Sequence, residues 1–493
     1  MIDFLIINPG NRKRVYQSLG NNISAIEQPT YALLVATYLK KKGYTVKVID
    51  IPATSYTDGE LVNLVESYNP TLIALYVYGY HPSASTQNME SANEIVGLIK
   101  RNNPNRKIML SGTHPAALPQ QTLLDADVDY VSDREGVKTA VQLIEYITNG
   151  GNINIIEDLW YKLNNVPTFT KRGAILTVQE LNEYMDRPAW ELVDMSVYRS
   201  HNWHAFGHLT RQPYASIYTS LGCPFKCSFC CINTPFGDML NGPRPYRLWS
   251  PQIIIKQIDE LVNKYGVYNI KIVDEMFVLN AKHVMELCDL IIQRGYKLNI
   301  WAYARVDSTK PQFLEKLKKA GINWLGLGIE SASKYVRDGA DKRFSDEDIV
   351  KVCNNIKEHG IYIGGNYIFG LPDDTIESMR NTLDLALYIK AEYSNFYSAM
   401  AYPGSPLYHE AIKNKWQLPE SWIGYSQHSY ECHPLPTEFV SSAEVLRFRD
   451  SAFIEFYSNK EYQDHMLKTF GRNTVYEINN MLKYSLKRKL LGD

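Results

Sequence analysis

The segment Ser220-Leu221-Gly222-Cys223-Pro224-Phe225-Lys226-Cys227-Ser228-Phe229-Cys230-Cys231 carries the densest chemistry in the chain. Cys223, Cys227 and Cys230 follow the spacing Cys-x3-Cys-x2-Cys, inside a protein that has seven cysteines in 493 residues. That number is too small for a disulfide framework, and such crowding points to metal or redox chemistry. Three thiolates on one tight loop can each hold a different iron of a cubane cluster, which leaves the fourth iron open to a bidentate small molecule. A structural zinc ion would want four ligands, usually as paired Cys-x2-Cys hooks. Cys231 directly follows the third cysteine, and its backbone direction turns it away, so it is not counted as a ligand. Cys288, Cys353 and Cys432 are scattered and read as small buried hydrophobes.

The loop needs elements to hold it. Before it, residues 1–150 alternate apolar runs (Phe4–Asn8, Val46–Asp50, Leu72–Tyr78, Ile108–Gly112, Tyr130–Ser132) with amphipathic stretches near 30–42, 59–67, 87–101 and 135–148. Apolar strands separated by helices predict a parallel sheet covered on both faces, a Rossmann-like doubly wound α/β domain with its ligand at the strands' carboxyl ends. Residues 151–212, rich in Asn, Pro, Trp, Tyr and His, read as an irregular connector. From 213 to 403 a second βα series runs through strands Ala215–Ser220, Asn269–Val273, Ile300–Val306, Trp324–Ile329, Ile363–Phe369 and Asn395–Ala401. Ser250-Pro251 and Ser345-Asp346-Glu347-Asp348 mark helix starts, and Gly266, Gly295, Gly321 and Gly360 mark helix ends. Six such units in a row favour a partial (β/α)6 TIM-type barrel, although the same periodicity fits a second doubly wound sheet. Residues 404–493 read as mainly helical, ending in a basic tail (Lys483, Lys487, Arg488, Lys489) expected to be a solvated face.

The cysteine triplet, with Gly222 before it and Phe229 inside it, resembles the radical S-adenosylmethionine (SAM) superfamily over about residues 213–403. That resemblance implies a [4Fe–4S] cluster on Cys223, Cys227 and Cys230, SAM chelated to the open iron, and a 5′-deoxyadenosyl radical that abstracts hydrogen. It also implies cofactor contacts at strand ends, where a barrel keeps its active site. Asp274 and Glu275 occupy the place of the family's Gly-Gly-Glu segment. Arg305 is a candidate partner of the SAM carboxylate, Glu330-Ser331 matches a Gly-x-Glu-Ser strand end, and Gly364 to Pro372, including Gly370, resembles the motif that backs adenine. The first domain resembles the cobalamin-binding domain found before many radical SAM modules. Asn8-Pro9, Glu27-Gln28-Pro29-Thr30-Tyr31 and Asp50 carry that likeness, and above all Ser111-Gly112-Thr113-His114-Pro115. Asn8, Tyr78, Gly79 and Ser111, Gly112, Thr113 and His114 are the expected corrin contacts. The Asp-x-His-x-x-Gly motif of histidine-ligated cobalamin domains is absent. His81 and His114 are the only histidines of this region, so cobalamin is expected without a histidine on cobalt.

The composition excludes little else. Fifty-two basic against 53 acidic residues leave a net charge of -1, so no field of one sign draws the whole chain to nucleic acid. The opening Met-Ile-Asp-Phe-Leu-Ile-Ile-Asn-Pro-Gly lacks a signal-peptide pattern, and no membrane-span-length apolar run appears, so a cytoplasmic protein is expected. The resemblance implies a cobalamin-dependent C-methyltransferase acting on a small polar metabolite through methylcobalamin, with flavodoxin or ferredoxin as electron donor. A non-methylating radical enzyme of the same architecture, such as an oxidative cyclase, is the first rival. A non-catalytic cobalamin or iron–sulfur sensor is the second. The aromatic stretch from Tyr198 to His204, with Trp416, Trp422, Tyr425, His428 and Tyr430, fits a frame for a polar sugar or phosphorylated substrate and equally fits aromatic core packing.

Overall fold

The computed structural model describes residues 1–79, 83–207, 209–237, 242, 244–342 and 344–493. Two sheets organise the chain. The first has seven strands in the order β2 (Val46–Asp50), β1 (Ile2–Asn8), β3 (Pro70–Val77), β4 (Ile108–Gly112), β5 (Tyr130–Ser132), β6 (Leu159–Leu163) and β7 (Val166–Phe169). The first five are parallel and covered by helices, and the strand order reverses between β1 and β3, where such a fold opens a crevice. The residues 159–169, expected to be irregular, instead form an antiparallel hairpin that extends this sheet. Asn164 and Asn165 both take positive φ (52° and 64°), the two-residue turn that matches strand twist, and their Asn-Asn pair was the sequence signal for it.

After the short ribbon β9 (Ser220–Leu221) with β10 (Arg247–Leu248), the second sheet is built in simple order. Its six parallel strands are β8 (Tyr214–Ile217), β11 (Asn269–Ile272), β12 (Asn299–Arg305), β13 (Ile322–Glu330), β14 (Tyr362–Phe369) and β15 (Tyr393–Ser398). Each neighbours the next in sequence, with a helix on the outer face, so the sheet is the open barrel rather than a second doubly wound sheet. Leu325, Leu327 and Ile329 of β13 pack outward with Leu314 and Ile356, while Trp324, Gly326, Gly328 and Glu330 alternate to the other face. The cap at Ser345 forms a full capping box with Asp348, whereas Ser250 stands at its N-cap without a side-chain bond and leaves the start signal to Pro251. The C-terminal region is helical over Pro406–Lys413, Ser442–Ser458, Lys460–Phe470 and Arg472–Met481. Its basic tail is not a solvated face throughout. Arg488 is buried, pairs with Asp450 and donates to the carbonyls of Gln427 and Ser429.

Six strands do not close, so β8 and β15 would each present a row of unpaired backbone groups. Side chains from outside the barrel cap both. On β8, the Gln28 amide donates to the Tyr214 carbonyl (3.0 Å) and accepts from the Ser216 N–H (2.9 Å), copying a neighbouring strand. On β15, the Gln427 amide does the same for Ser398, the Tyr457 hydroxyl for Ser394, and Arg449 donates to the Phe396 carbonyl. The opposite end of the lumen is filled by Trp203, Trp324, Tyr393 and Phe470, ring against ring. Among the described residues, no helix is long and apolar enough to cross a membrane.

The Gln28 seal is testable. Gln28→Ala leaves two buried backbone groups without their partner and should destabilise the protein by about 2 kcal/mol, read as a lower thermal midpoint. An unchanged midpoint would show that β8 is closed by something else.

Candidate active site

The cysteine loop leaves β9 through Gly222, whose φ of +87° and close approach to the Pro245 carbonyl admit no side chain (an added Cβ would lie 2.0 Å from that oxygen). Asn233 then pins the loop from both sides, accepting from the Cys223 N–H and donating to its carbonyl. Cys223, Cys227 and Cys230 remain partly accessible, while the other four cysteines are buried. Cys231 packs with Met400, Tyr402, Tyr425, Cys432 and Leu446, away from the open side of the loop. Phe229 lies against Ile368, Leu371 and Ala401 and backs the third cysteine. Burial pushes the Cys223 thiol up to about 12, so no neighbouring side chain makes it a thiolate, and bound iron would have to do so. Among the described residues no group of three His, Cys, Asp or Glu side chains is placed to hold a single metal ion. A cubane, which takes one thiolate at each of three corners, suits this donor set better than a mononuclear ion.

The strand ends divide into groups that face the loop and groups that brace it. Arg305, ending β12, reaches to 3.4 Å from the Cys227 sulfur, lies over the Phe225 ring and forks onto Asp307. Glu275 has no hydrogen-bond or ion-pair partner among the described residues, and burial followed by repulsion from Asp274 lifts its carboxyl to about 8. Asp274 itself cannot serve a cofactor. Its oxygens accept from the Thr219 N–H and from the hydroxyls of Thr219 and Ser220, so it fixes the strand that carries the loop. Glu330 adopts a left-handed φ of +69° and is neutralised by a buried ion pair with Lys342. Gly328 makes room for that pair, since a Cβ there would meet the Lys342 ammonium at 2.6 Å. Ser331 and Gly370 do not join the site. The Ser331 hydroxyl pairs with Thr382 on the outer helix, and Gly370 lets the Ser442–Ser458 helix approach through Val445.

A cavity of about 270 Å³ lies between the β1/β3 crevice and the barrel lumen. Asn8, Tyr78 and Gly79 border it from the first sheet, Glu27 and Arg12 from the segment after β1, and Lys271, Trp301, Tyr303 and Tyr397 from the barrel. Burial raises the Tyr303 hydroxyl pKa well above its ordinary value, and Tyr397, Glu27 and Glu275 add to it, so this ring lies near carboxyl groups of both the first domain and the barrel. Ser111, Gly112, Thr113 and His114 do not line this cavity. Gly112 serves the strand: with φ at +144°, a Cβ would strike the Val77 carbonyl at 2.2 Å, so any larger residue disturbs the fold before it disturbs a ligand. His114 is buried edge-on to Trp422, its Nδ1 on Thr86, and burial lowers its pKa to about 3. His81 lies outside the described residues. The crevice suits a planar group, being edged by Gly10 and Gly79 and by the Tyr78 ring, which stacks on Tyr31. Of the aromatic residues expected to frame a substrate, His201, Trp203 and His428 line the cavity; Tyr198, His204, Trp416, Trp422, Tyr425 and Tyr430 do not. Lys342, Arg12, Lys271 and Trp301 were missed, because single residues far apart in sequence carry no local motif.

The family models for the radical SAM superfamily and for the B12 binding domain match residues 217–386 and 17–144, respectively. An uncharacterized methyltransferase of Pyrococcus horikoshii is 26% identical over 432 residues, covering 87% of this chain and 88% of that protein. The anaerobic magnesium-protoporphyrin IX monomethyl ester cyclase of Rubrivivax gelatinosus is 22% identical, covering 91% of this chain and 77% of the cyclase. In fold, the chain superposes on the radical SAM methyltransferase TsrM from Kitasatospora setae with a TM-score of 0.69 and 16% identity, over 100% of this chain and 97% of that one.

Replacing Cys223, Cys227 or Cys230 by Ala should abolish the iron content and the SAM cleavage of anaerobically reconstituted protein, which otherwise carries about four irons per chain. Cys231→Ala should keep most of both, at the cost of a small cavity. Loss of iron in that variant would overturn the ligand set.

Proposed function

We propose that this member of the cobalamin-binding radical SAM enzymes is a C-methyltransferase that acts on an unactivated carbon of a small polar molecule. When bound, the cluster with SAM supplies a 5′-deoxyadenosyl radical and the cobalamin supplies a methyl group; the protein's part is to hold and orient them and to keep water out. In this reading Cys223, Cys227 and Cys230 hold the cluster, and Phe229 walls its substrate side. Glu275, a half-buried carboxyl without a hydrogen-bond or ion-pair partner among the described residues, receives the SAM ammonium, whose charge would draw its proton off. Arg305, already aimed at the loop, takes the SAM carboxylate by a charge-assisted pair. Glu330 meets the ribose or methionyl part and keeps its charge balanced by Lys342. Asn8, Tyr78 and Gly79 at the β1/β3 crevice meet the corrin. The electron that starts each cycle comes from an external donor such as flavodoxin or ferredoxin, in a reducing cytoplasm.

One observation carries the reading: the crevice of the first sheet and the lumen of the barrel border one shared cavity, with Asn8, Tyr78 and Gly79 on one side and Lys271, Trp301 and Tyr303 on the other. A methyl donor and a radical source must act on the same carbon, and a volume walled by both domains is where the two can meet. The methyltransferase relative, matched over nearly its whole length, supports it.

Reduced, reconstituted protein given SAM and cobalamin should form both S-adenosylhomocysteine and 5′-deoxyadenosine. Deoxyadenosine alone would instead favour a cyclase-like enzyme, and no SAM cleavage at all would leave a sensor. Glu275→Gln and Arg305→Ala should keep the iron and weaken SAM binding about tenfold or more, measured by equilibrium dialysis. Unchanged affinity in both variants would show that the strand-end assignments are wrong.

A further inference from the structure

Building on that reading, we propose that the shared cavity is the substrate site and that it selects a molecule bearing an acidic group, a carboxylate or a phosphate, anchored at Arg12. Three charged side chains line the cavity: Arg12, Lys271 and Glu27. Lys271 and Glu27 neutralise each other across the domain seam, Nζ to Oε1 at 2.9 Å. Arg12 has no such counterpart. Its Nη2 donates to the Gly20 carbonyl (2.6 Å) and the Ser24 hydroxyl (2.8 Å), and it pairs with no carboxylate among the described residues. Those two bonds hold the guanidinium at a fixed angle. Its Nε–H is buried and without a partner.

The other orphaned groups on the wall point to the same ligand. The Trp301 indole N–H, on a side chain almost wholly buried, is likewise without a partner among the described residues, and the free acceptor is Oε2 of Glu27. Two unsatisfied N–H donors against one acceptor call for a ligand that accepts more than it donates, because a buried donor left unmade costs its full desolvation. An unbalanced guanidinium adds a demand for negative charge. Aromatic rings form much of the remaining wall, including Trp203, Trp301, Tyr303 and Tyr397, so the ligand's body is flat or apolar while its acidic end reaches Arg12. The spare Glu27 oxygen would accept an N–H or O–H of the same molecule.

The probes that test this are 3-phenylpropionate and its uncharged isostere 3-phenylpropionamide, titrated calorimetrically into anaerobic protein loaded with cluster, cobalamin and SAM. Wild type should bind the acid about tenfold more tightly than the amide. Arg12→Gln should erase that preference, Arg12→Lys should keep part of it, and Arg14→Gln, on the exposed side of the same short helix, should keep all of it. Equal binding of acid and amide by wild type, or a preference that survives in Arg12→Gln, would overturn the proposal. So would an Arg12→Gln protein that instead loses cobalamin occupancy or SAM affinity, for the guanidinium would then serve the phosphodiester of the one or the carboxylate of the other. An acid preference in a protein that never forms S-adenosylhomocysteine would uphold the anion anchor while removing the methyl-transfer reading.

Discussion

The open edge of the barrel is the constraint from which the rest of the molecule follows. A six-stranded parallel sheet ends in two strands whose outward N–H and C=O groups need partners. The chain meets that need with side chains rather than further strands. Gln28 completes β8, and Gln427, Tyr457 and Arg449 complete β15. Because those residues come from the first domain and from the C-terminal region, closing the barrel also docks all three parts of the chain. The cavity is what remains inside the closure.

Charge is arranged with the same economy around that cavity. Asp274 spends its oxygens on the strand that carries the cysteine loop, and Glu330 is matched by Lys342. Arg305 is matched by Asp307 and Lys271 by Glu27. Glu275 and Arg12 stand apart, neither with an oppositely charged partner among the described residues, one near Cys223 and one on the cavity wall. Burying an uncompensated charge is costly, and such costs persist where a ligand relieves them. The two exceptions therefore mark the places where a charged ligand is wanted.

How much of this was legible depended on whether the relevant residues are close in sequence. The cysteine loop is a contiguous string, and Gly222, Phe229 and the spacing could be read directly. The βα alternation is equally local, and the strands fall within a few residues of where apolar runs place them. Motif letters proved weaker guides to direction: Asp274, Ser331 and Gly370 stand where the family pattern puts them, yet hydrogen bonds or packing turn them outward. Ser111 to His114 likewise form a recognisable string that the structure uses to seat β4 rather than to line the cavity. Pairs such as Glu27 with Lys271 lie more than two hundred residues apart and meet only because the domains dock. No local pattern encodes them. Arg488 shows the reverse error, since a basic tail looks solvated until one of its arginines finds a buried carboxylate.

The short segment following β1 has two tasks at once. Through Gln28 and Thr30 it is fastened to β8, and through Arg12, Tyr16 and Glu27 it forms a wall of the cavity. In evolutionary terms, specificity and closure are thereby inherited as one block. Positions 11 to 19 make no contact with the strand edge, so they can reshape the wall without opening the barrel, although Val15 and Gln17 still tie them to the C-terminal region. Positions 27 to 30 cannot, because a change there opens the seam. A lineage exploring new substrates on this scaffold would accumulate its differences in the first half of the segment and keep the second half fixed. The length of chain between the two halves would set how far the wall can move.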